Sequence, residues 1–192
     1  MLSDEGYIIE NLFHIPDKDG NDVPFKLNPA QRHLDENWGG RDIIPKARQE
    51  GVSSYILARY TAACLKKRNV RAVVISHDQE STQRMLQKVK YFLREIRGPQ
   101  AQISNMSANL IGLPKMNSTF YIGTAGSRKF GRGDTISHLH CSEYAFWPNA
   151  KELMTGLVQA VPLSGELAIE STGNGMGNDY HGRCMRAYEE KG

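Results

Sequence analysis

Long apolar runs are missing from this chain of 192 residues. None approaches the roughly 20 consecutive residues that cross a bilayer, so the chain reads as a soluble, folded protein and not a membrane one. Aromatic residues are sparse at 8%, and cysteine is limited to Cys64, Cys141 and Cys184. An odd number of widely spaced cysteines gives no disulfide framework and fits thiols in a reducing compartment. Neither sign of charge dominates: 24 Lys plus Arg face 21 Asp plus Glu, and a net charge of +3 is too small to demand a nucleic-acid partner. Met1-Leu2-Ser3-Asp4-Glu5 offers neither the basic nor the apolar segment of a secretory leader, so the expected location is a cytoplasm. No repeat, low-complexity tract or block of like charge interrupts the sequence. What is present is 40% hydrophobic residues in short runs, over a length suited to one globular domain.

Residues 1–26 differ in texture from the rest. Pro16-Asp17-Lys18-Asp19-Gly20-Asn21-Asp22 is rich in turn formers, so Met1 to Lys26 reads as an N-terminal arm, with a short strand at Tyr7-Ile8-Ile9, ahead of a domain over residues 27–192. From Leu27 onward, short β-rich runs alternate with longer amphipathic ones, the order of an α/β sheet with crossover helices. Asn28-Pro29-Ala30-Gln31 opens a helix, with Asn as the cap and Pro at the first helical position. Strands are expected at Arg41 to Ala47, Val70 to Ser76, Thr119 to Gly123, Ile136 to Cys141 and Glu166 to Glu170. Helices are expected at Ser53 to Lys67, with Ile56, Tyr60 and Ala63 on one face, at Glu80 to Arg97, and at Ala150 to Ala160. Gly98-Pro99 stops the second of these. The sheet is expected to be mostly parallel, and ligands of such sheets bind beyond the strand C-termini.

The segment Lys46-Ala47-Arg48-Gln49-Glu50-Gly51-Val52-Ser53-Ser54 follows an expected strand and leads directly into an expected helix. That is the setting of a phosphate loop: amides at a helix N-terminus point at an anion, the macrodipole favours it, and a glycine allows a polyphosphate to approach closely. Set against G-x-x-x-x-G-K-[ST], Gly51 supplies the second glycine and Ser53 the hydroxyl for Mg²⁺. Lys46 replaces the first glycine and Val52 the usual lysine. Positive charge on the β and γ phosphates therefore has to come from Lys46 or Arg48.

An ATPase also needs a carboxylate beyond a neighbouring strand to orient the attacking water, and commonly another for the metal. In Ile136-Ser137-His138-Leu139-His140-Cys141-Ser142-Glu143, Glu143 follows a strand and precedes the aromatic stretch Tyr144-Ala145-Phe146-Trp147. Ser142 stands at the metal-associated aspartate position, so Mg²⁺ would rest on Ser53, phosphate oxygens, water and Glu143. A third segment, Glu170-Ser171-Thr172-Gly173-Asn174-Gly175-Met176-Gly177-Asn178, places hydroxyls, an amide and three glycines beyond a strand, suited to sensing the γ-phosphate and moving on its loss.

In this order and spacing, the three segments resemble the N-terminal ATPase domain of the large terminase subunit of tailed bacteriophages, the DNA-packaging motor, from about Leu27 to Asn178. The resemblance implies an ASCE-type P-loop NTPase fold, a mostly parallel central sheet flanked by helices. It implies Mg-dependent hydrolysis of ATP to ADP and phosphate, coupled to movement of double-stranded DNA into a procapsid. Gln31 would read adenine, and Lys46, Ala47, Arg48, Gln49, Glu50, Gly51, Val52, Ser53 and Ser54 would surround the nucleotide. Ser53 would ligate Mg²⁺, with Glu143 reaching it through water, and Glu143, Arg48 and Arg132 would be catalytic. Arg132 sits where relatives carry an arginine proposed to reach a neighbouring subunit's ATP, in cis or in trans. Ser171, Thr172 and Asn174 fall in the segment that couples hydrolysis to DNA movement. Implied partners are double-stranded DNA held by its phosphates, the portal protein, the small terminase subunit and further copies in a ring, in the host cytoplasm at the procapsid portal. Large terminases continue into a nuclease, whereas this sequence ends at Lys191-Gly192, so an isolated ATPase domain without nuclease activity is expected.

Candidate DNA contacts are Lys66, Lys67 and Arg68, and the series Arg84, Lys88, Arg94 and Arg97. Two other readings stand beside the packaging motor. One is a helicase-like P-loop translocase, which uses the same motifs. The other is a zinc-binding nucleic-acid module without catalysis, for which His138, His140, Cys141, His181 and Cys184 supply nitrogen and sulfur. Along a strand, His138 and His140 share one face and Cys141 takes the other, so these three converge poorly.

Overall fold

The computed structural model describes residues 1–97, 103–127 and 135–190. Along the chain, helix α1 (Asp4–Leu12) precedes a hairpin of β1 (His14–Pro16) and β2 (Asp22–Pro24). There follow α2 (Pro29–Glu36), β3 (Arg41–Pro45), α3 (Val52–Lys66), β4 (Arg71–Ser76), α4 (Gln79–Arg94), β5 (Ser104–Ser107), β6 (Leu110–Leu113) and β7 (Ser118–Thr124). The chain continues through β8 (His138–Ser142), α5 (Ala150–Gln159), β9 (Glu166–Ser171) and α6 (Asp179–Glu189). No helix among the described residues is long and apolar enough to cross a membrane.

Seven of these strands form one sheet in the order β3-β9-β8-β4-β7-β6-β5. The first five run parallel, and β6 and β5 extend the sheet antiparallel at one edge. Strand β9 is inserted between β3, which leads into the phosphate-loop segment, and β8, which ends in Ser142. Register then levels the strand ends: Pro45 pairs with Ser171, and Ser142 pairs with Glu170. The chemistry-bearing segments thus leave the sheet side by side at its C-terminal edge, as expected for a parallel sheet.

Helix α3 is the hub of the core. Every residue from Tyr55 to Cys64 is buried, so the single apolar face expected at Ile56, Tyr60 and Ala63 is in fact a full circumference. Neighbours on several sides account for this, since α3 packs against α1, α4 and the sheet. Ala58, Ala62 and Ala63 favour helix and let these elements approach. On one side of α4, Phe13, Phe25 and Phe92 come together, with the Phe13 and Phe92 rings stacked at 5.5 Å.

The N-terminal residues depart from the sequence expectation. Tyr7-Ile8-Ile9 is helical, not extended. The Ser3 side chain accepts from Gly6 N, Asp4 and Glu5 occupy the favourable first turn, and these end signals outweigh a three-residue apolar run. Ile9, Phe13 and Phe25 are buried in the main core, so residues 1–26 pack against the domain. The hairpin β5–β6 and helix α6 were not anticipated. Gly98-Pro99, the expected stop of α4, lies outside the described residues.

Candidate functional site

After β3, residues 46–51 turn the chain into α3. Gln49 and Gly51 are left-handed, at φ of 63° and 73°. A Cβ on Gly51 would stand 2.6 Å from Gln31 Nε2, so both conformation and close approach require glycine there. No side chain caps α3. Its first amide groups therefore lack protein partners within the helix and face the space ahead of it. The loop is braced from behind: Ala47 N donates to Glu50 Oε2 (3.2 Å), and Lys46 N donates to Ser171 O on β9 (3.2 Å).

Lys46, the residue in place of the first glycine, turns inward. Its ammonium lies 2.6 Å from Glu143 Oε1 and 3.3 Å from Glu170 Oε2. Burial works against its charge, and the two carboxylates more than compensate, raising its pKa. Glu143 follows β8 directly and adopts φ 50°, ψ 46°, a conformation that costs a non-glycine residue roughly 1–2 kcal/mol. Its second oxygen accepts from Thr172 N (3.1 Å), Thr172 Oγ1 (3.1 Å) and Ser171 Oγ (3.3 Å). The acid segment and the third motif are thus joined through one carboxylate oxygen.

Glu170 is fully buried. Its Oε1 accepts from Ser142 Oγ (2.7 Å) and Ser53 Oγ (2.8 Å), with His140 Nε2 at 3.2 Å. Burial pushes its carboxyl pKa up, but the His140 hydrogen bond and charge, Lys46 and Ser142 reverse this and hold it at about 2. Sequence reasoning did not single out Glu170. The available signal was a lone charge at the end of the otherwise apolar Leu167-Ala168-Ile169.

Lys46, Ser53, Ser142, Glu143 and Thr172 line one wall of a cavity of about 500 Å³, while Glu170 is buried and reaches that wall through Ser53 and Ser142. Arg48, Arg84 and Lys88 line it as well, with Phe146 and His77, whose rings are 6.0 Å apart. Arg48 is exposed and makes no hydrogen bond or ion pair among the described residues. Arg84 is held by Glu80 and by Ser81 Oγ (2.8 Å), and Lys88 Nζ donates to Ser54 Oγ (2.7 Å). With Lys46, four cations therefore border a cavity onto which the N-terminus of α3 opens, a setting for polyphosphate.

A second cavity of about 380 Å³ adjoins the first through Lys88. It is lined by Phe25, Tyr91, Phe92 and Ile15 together with Gln31, Gly51 and Ser54. Gln31 is a strut in this arrangement. Its Oε1 accepts from Asn28 N (3.0 Å) in a reciprocal cap of α2, and its Nε2 donates to Gly51 O (2.8 Å).

The other expected residues fall in distinct places. Val52 is buried in the core, so the usual lysine position carries no charge. Asn174 Nδ2 donates to Ala145 O (3.0 Å), tying the third motif to the turn after Glu143. Arg132 lies outside the described residues. The candidate DNA contacts have different surroundings. Arg84 and Lys88 belong to the cavity, Lys66 is held by Asp4 and Glu5, and Arg97 by His14 and Asp22. The zinc arrangement does not form: among the described residues no three His, Cys, Asp or Glu side chains are placed to hold a metal. His138 packs edge-on to Tyr60, and Cys141 is buried among apolar side chains.

The sheet order and the loop between β3 and α3 define a P-loop NTPase fold. More particularly, it is the fold of the ATPase domains of phage large terminases. The large terminase of bacteriophage HK97 superposes with a TM-score of 0.75 over 97% of this chain, at 15% identity. The large terminase ATPase domain of Thermus phage P74-26 gives 0.64 over 80% of this chain and 67% of its own, at 17% identity. The large terminase of a further, thermophilic bacteriophage gives 0.61 over 84% of this chain, at 12% identity. The chain spans 41% of the HK97 protein and 42% of this last one. No protein-family model matches the chain, and no curated protein matches it in sequence.

Proposed function

We propose that this chain is the ATPase domain of a viral DNA-packaging terminase, hydrolysing ATP to move double-stranded DNA into a procapsid. One observation carries the reading: the uncapped N-terminus of α3 and the partner-free Arg48 face the same cavity as Glu143, whose carboxylate is bonded to Thr172. Phosphate binding, a catalytic acid and a segment able to report on it are thus contiguous.

In this reading the triphosphate lies against the amides of residues 49–53, with Arg48 and Lys46 balancing its charge. The base occupies the neighbouring apolar cavity. Gln31 borders that cavity and keeps one amide N–H and one lone pair free of its structural bonds. Glu143 orients the attacking water, and Arg132 is the second catalytic arginine, acting in cis or in trans. The hydroxyl and carboxylate oxygens at the foot of the cavity suit a hard divalent cation, with Ser53 as its ligand and Glu143 acting through water. A Mg²⁺ ion held there would supply charge neutralisation of the phosphates. Glu143 exchanges Lys46 and Thr172 for water as substrate enters, and so passes the state of the site to Ser171, Thr172 and Asn174. The portal protein, the small subunit and a ring of copies are the assembly in which that movement acts on DNA phosphates.

Calorimetric titration of Mg-ATP tests this. Saturable one-to-one binding, weakened by at least about tenfold in Arg48→Ala through the loss of a charge-assisted contact, is the expected result. A folded wild-type chain that binds no nucleotide would overturn the reading.

A further inference from the structure

Strand β8 lacks the carboxylate that a magnesium-dependent site of this kind needs beside its catalytic acid, because Ser142 occupies that position. The sheet supplies one from the next strand. Ser142 and Glu170 are register partners in the parallel β8–β9 pair, so their side chains project on the same face. Since β9 lies between β3 and β8, Glu170 also reaches the first turn of α3, and Ser53 Oγ donates to its Oε1 at 2.8 Å.

Two features show that this carboxylate is more than packing. It is fully buried, and its second oxygen, Oε2, has no hydrogen bond. That oxygen instead faces the Lys46 ammonium at 3.3 Å, while the same ammonium contacts Glu143 at 2.6 Å. A positive charge is therefore already held between the two carboxylates, one of which also accepts from the Ser53 hydroxyl. The surrounding donors are oxygens of the kind that hold a hard divalent cation together with phosphate and water.

We propose that Glu170 is the positioning residue of the magnesium site. It holds Ser53 Oγ in place as the cation's ligand and sets a negative charge behind it, in place of the aspartate absent at Ser142. The proposal rests on the nucleotide-binding reading above.

The test compares wild type, Glu170→Gln and the exchange variant Ser142→Asp/Glu170→Ser. Affinity for a slowly hydrolysed ATP analogue is measured by calorimetry in Mg²⁺ and in EDTA, with folding followed by circular dichroism. In wild type, Mg²⁺ is expected to tighten binding by about tenfold or more. Glu170→Gln is expected to reduce that increment to below about twofold without lowering the EDTA affinity, since it frees Lys46 for the phosphates, and the exchange variant to regain most of the increment. A merely structural role would lower both affinities together. An undiminished increment in Glu170→Gln overturns the proposal, and so does a folded exchange variant that regains none of it. Should Glu170→Gln not fold, the exchange variant decides alone. A wild-type chain that binds no nucleotide in either buffer instead overturns the reading on which the proposal rests.

Discussion

Arg59 and Lys46 are both nearly buried cations set among carboxylates, yet their surroundings differ in kind. Arg59 on α3 lies near Asp35 (3.4 Å), Glu5 (3.7 Å) and Glu166 (3.7 Å), and stacks 4.6 Å over Trp38. Asp35 is saturated there, accepting from Ser3 N, Ser3 Oγ and the Tyr55 hydroxyl at 2.6–2.8 Å. Glu166 accepts from Trp38 Nε1 at 2.9 Å. This cluster is closed, and it fastens α1 and α2 to α3 and β9. Each cluster leaves a buried atom without a hydrogen bond, Arg59 Nε and Glu170 Oε2, but the Lys46 cluster opens onto a cavity and holds Glu143 in a strained backbone conformation. Similar charges are thus enclosed in one region and set against a cavity in the other. That difference, more than the residue types, singles out the candidate site.

The widest separation between the two clusters should appear on deleting the cations. Arg59→Ala strands three carboxylates around a closed space and is expected to cost about 3–5 kcal/mol of stability. Lys46→Ala is expected to cost only about 1–2 kcal/mol, because water and solution cations reach Glu143 through the cavity. Urea denaturation of both variants measures this. Equal losses would mean that the Lys46 cluster is as much a structural fastening as the other.

Glycines adjoining each cluster give a smaller and more local contrast. A Cβ at Gly6 would stand 2.5 Å from Asp35 Oδ2, a carboxylate pinned by its donors, so Gly6→Ala should destabilise by about 1–3 kcal/mol and leave nucleotide affinity unchanged. Gly51→Ala meets positive φ and Gln31 Nε2, which should cost about 1–2 kcal/mol and also weaken nucleotide binding. Thermal unfolding and calorimetry on the same samples separate the two effects. A Gly51→Ala chain with unaltered affinity would place the nucleotide away from this loop.

The same contrast explains what the sequence disclosed. The strands beginning at Val70, Thr119 and Glu166 and the helices over residues 53–67 and 80–97 were legible because periodicity is local. So were the turn from β3 into α3, with its basic residues and Gly-x-Ser, and the place of Glu143 just beyond β8. Glu170 was hidden because its meaning lies in a register: Ser142 is 28 residues away in the chain and adjacent in the sheet. Gln31 similarly finds Gly51 at a separation of 20 residues. Arg84 and Lys88 looked like a solvated or DNA-facing stripe, since no local pattern shows that α4 packs beside α3 and turns them toward the loop. In the first 26 residues, turn formers drew attention from the Ser3 cap and from the buried Ile9, Phe13 and Phe25 that seat them on the core.

The smallest expected effect lies at the edge of the closed cluster, where Lys66 Nζ reaches Glu5 Oε1 at 3.1 Å and also contacts Asp4. The Lys66 side chain is 30% exposed, so solvent screens the pair with Glu5, and a value of about 0–1 kcal/mol is expected. Burial pushes the Glu5 carboxyl up, while the Lys66 hydrogen bond, a backbone hydrogen bond and the charges of Arg59 and Lys66 bring it below its ordinary value of 4.5. A carboxyl depressed in the folded state stabilises that state fully above its unfolded pKa and stops doing so as pH falls through the folded one. The stability difference between wild type and Lys66→Ala should therefore hold steady from neutral pH down to about 5 and vanish at lower pH, as Glu5 protonates. Urea denaturation across that range measures it. A difference that persists at low pH would assign the hold on α1 to the packed stem of Lys66, making this margin of the closed cluster a matter of burial and not of charge.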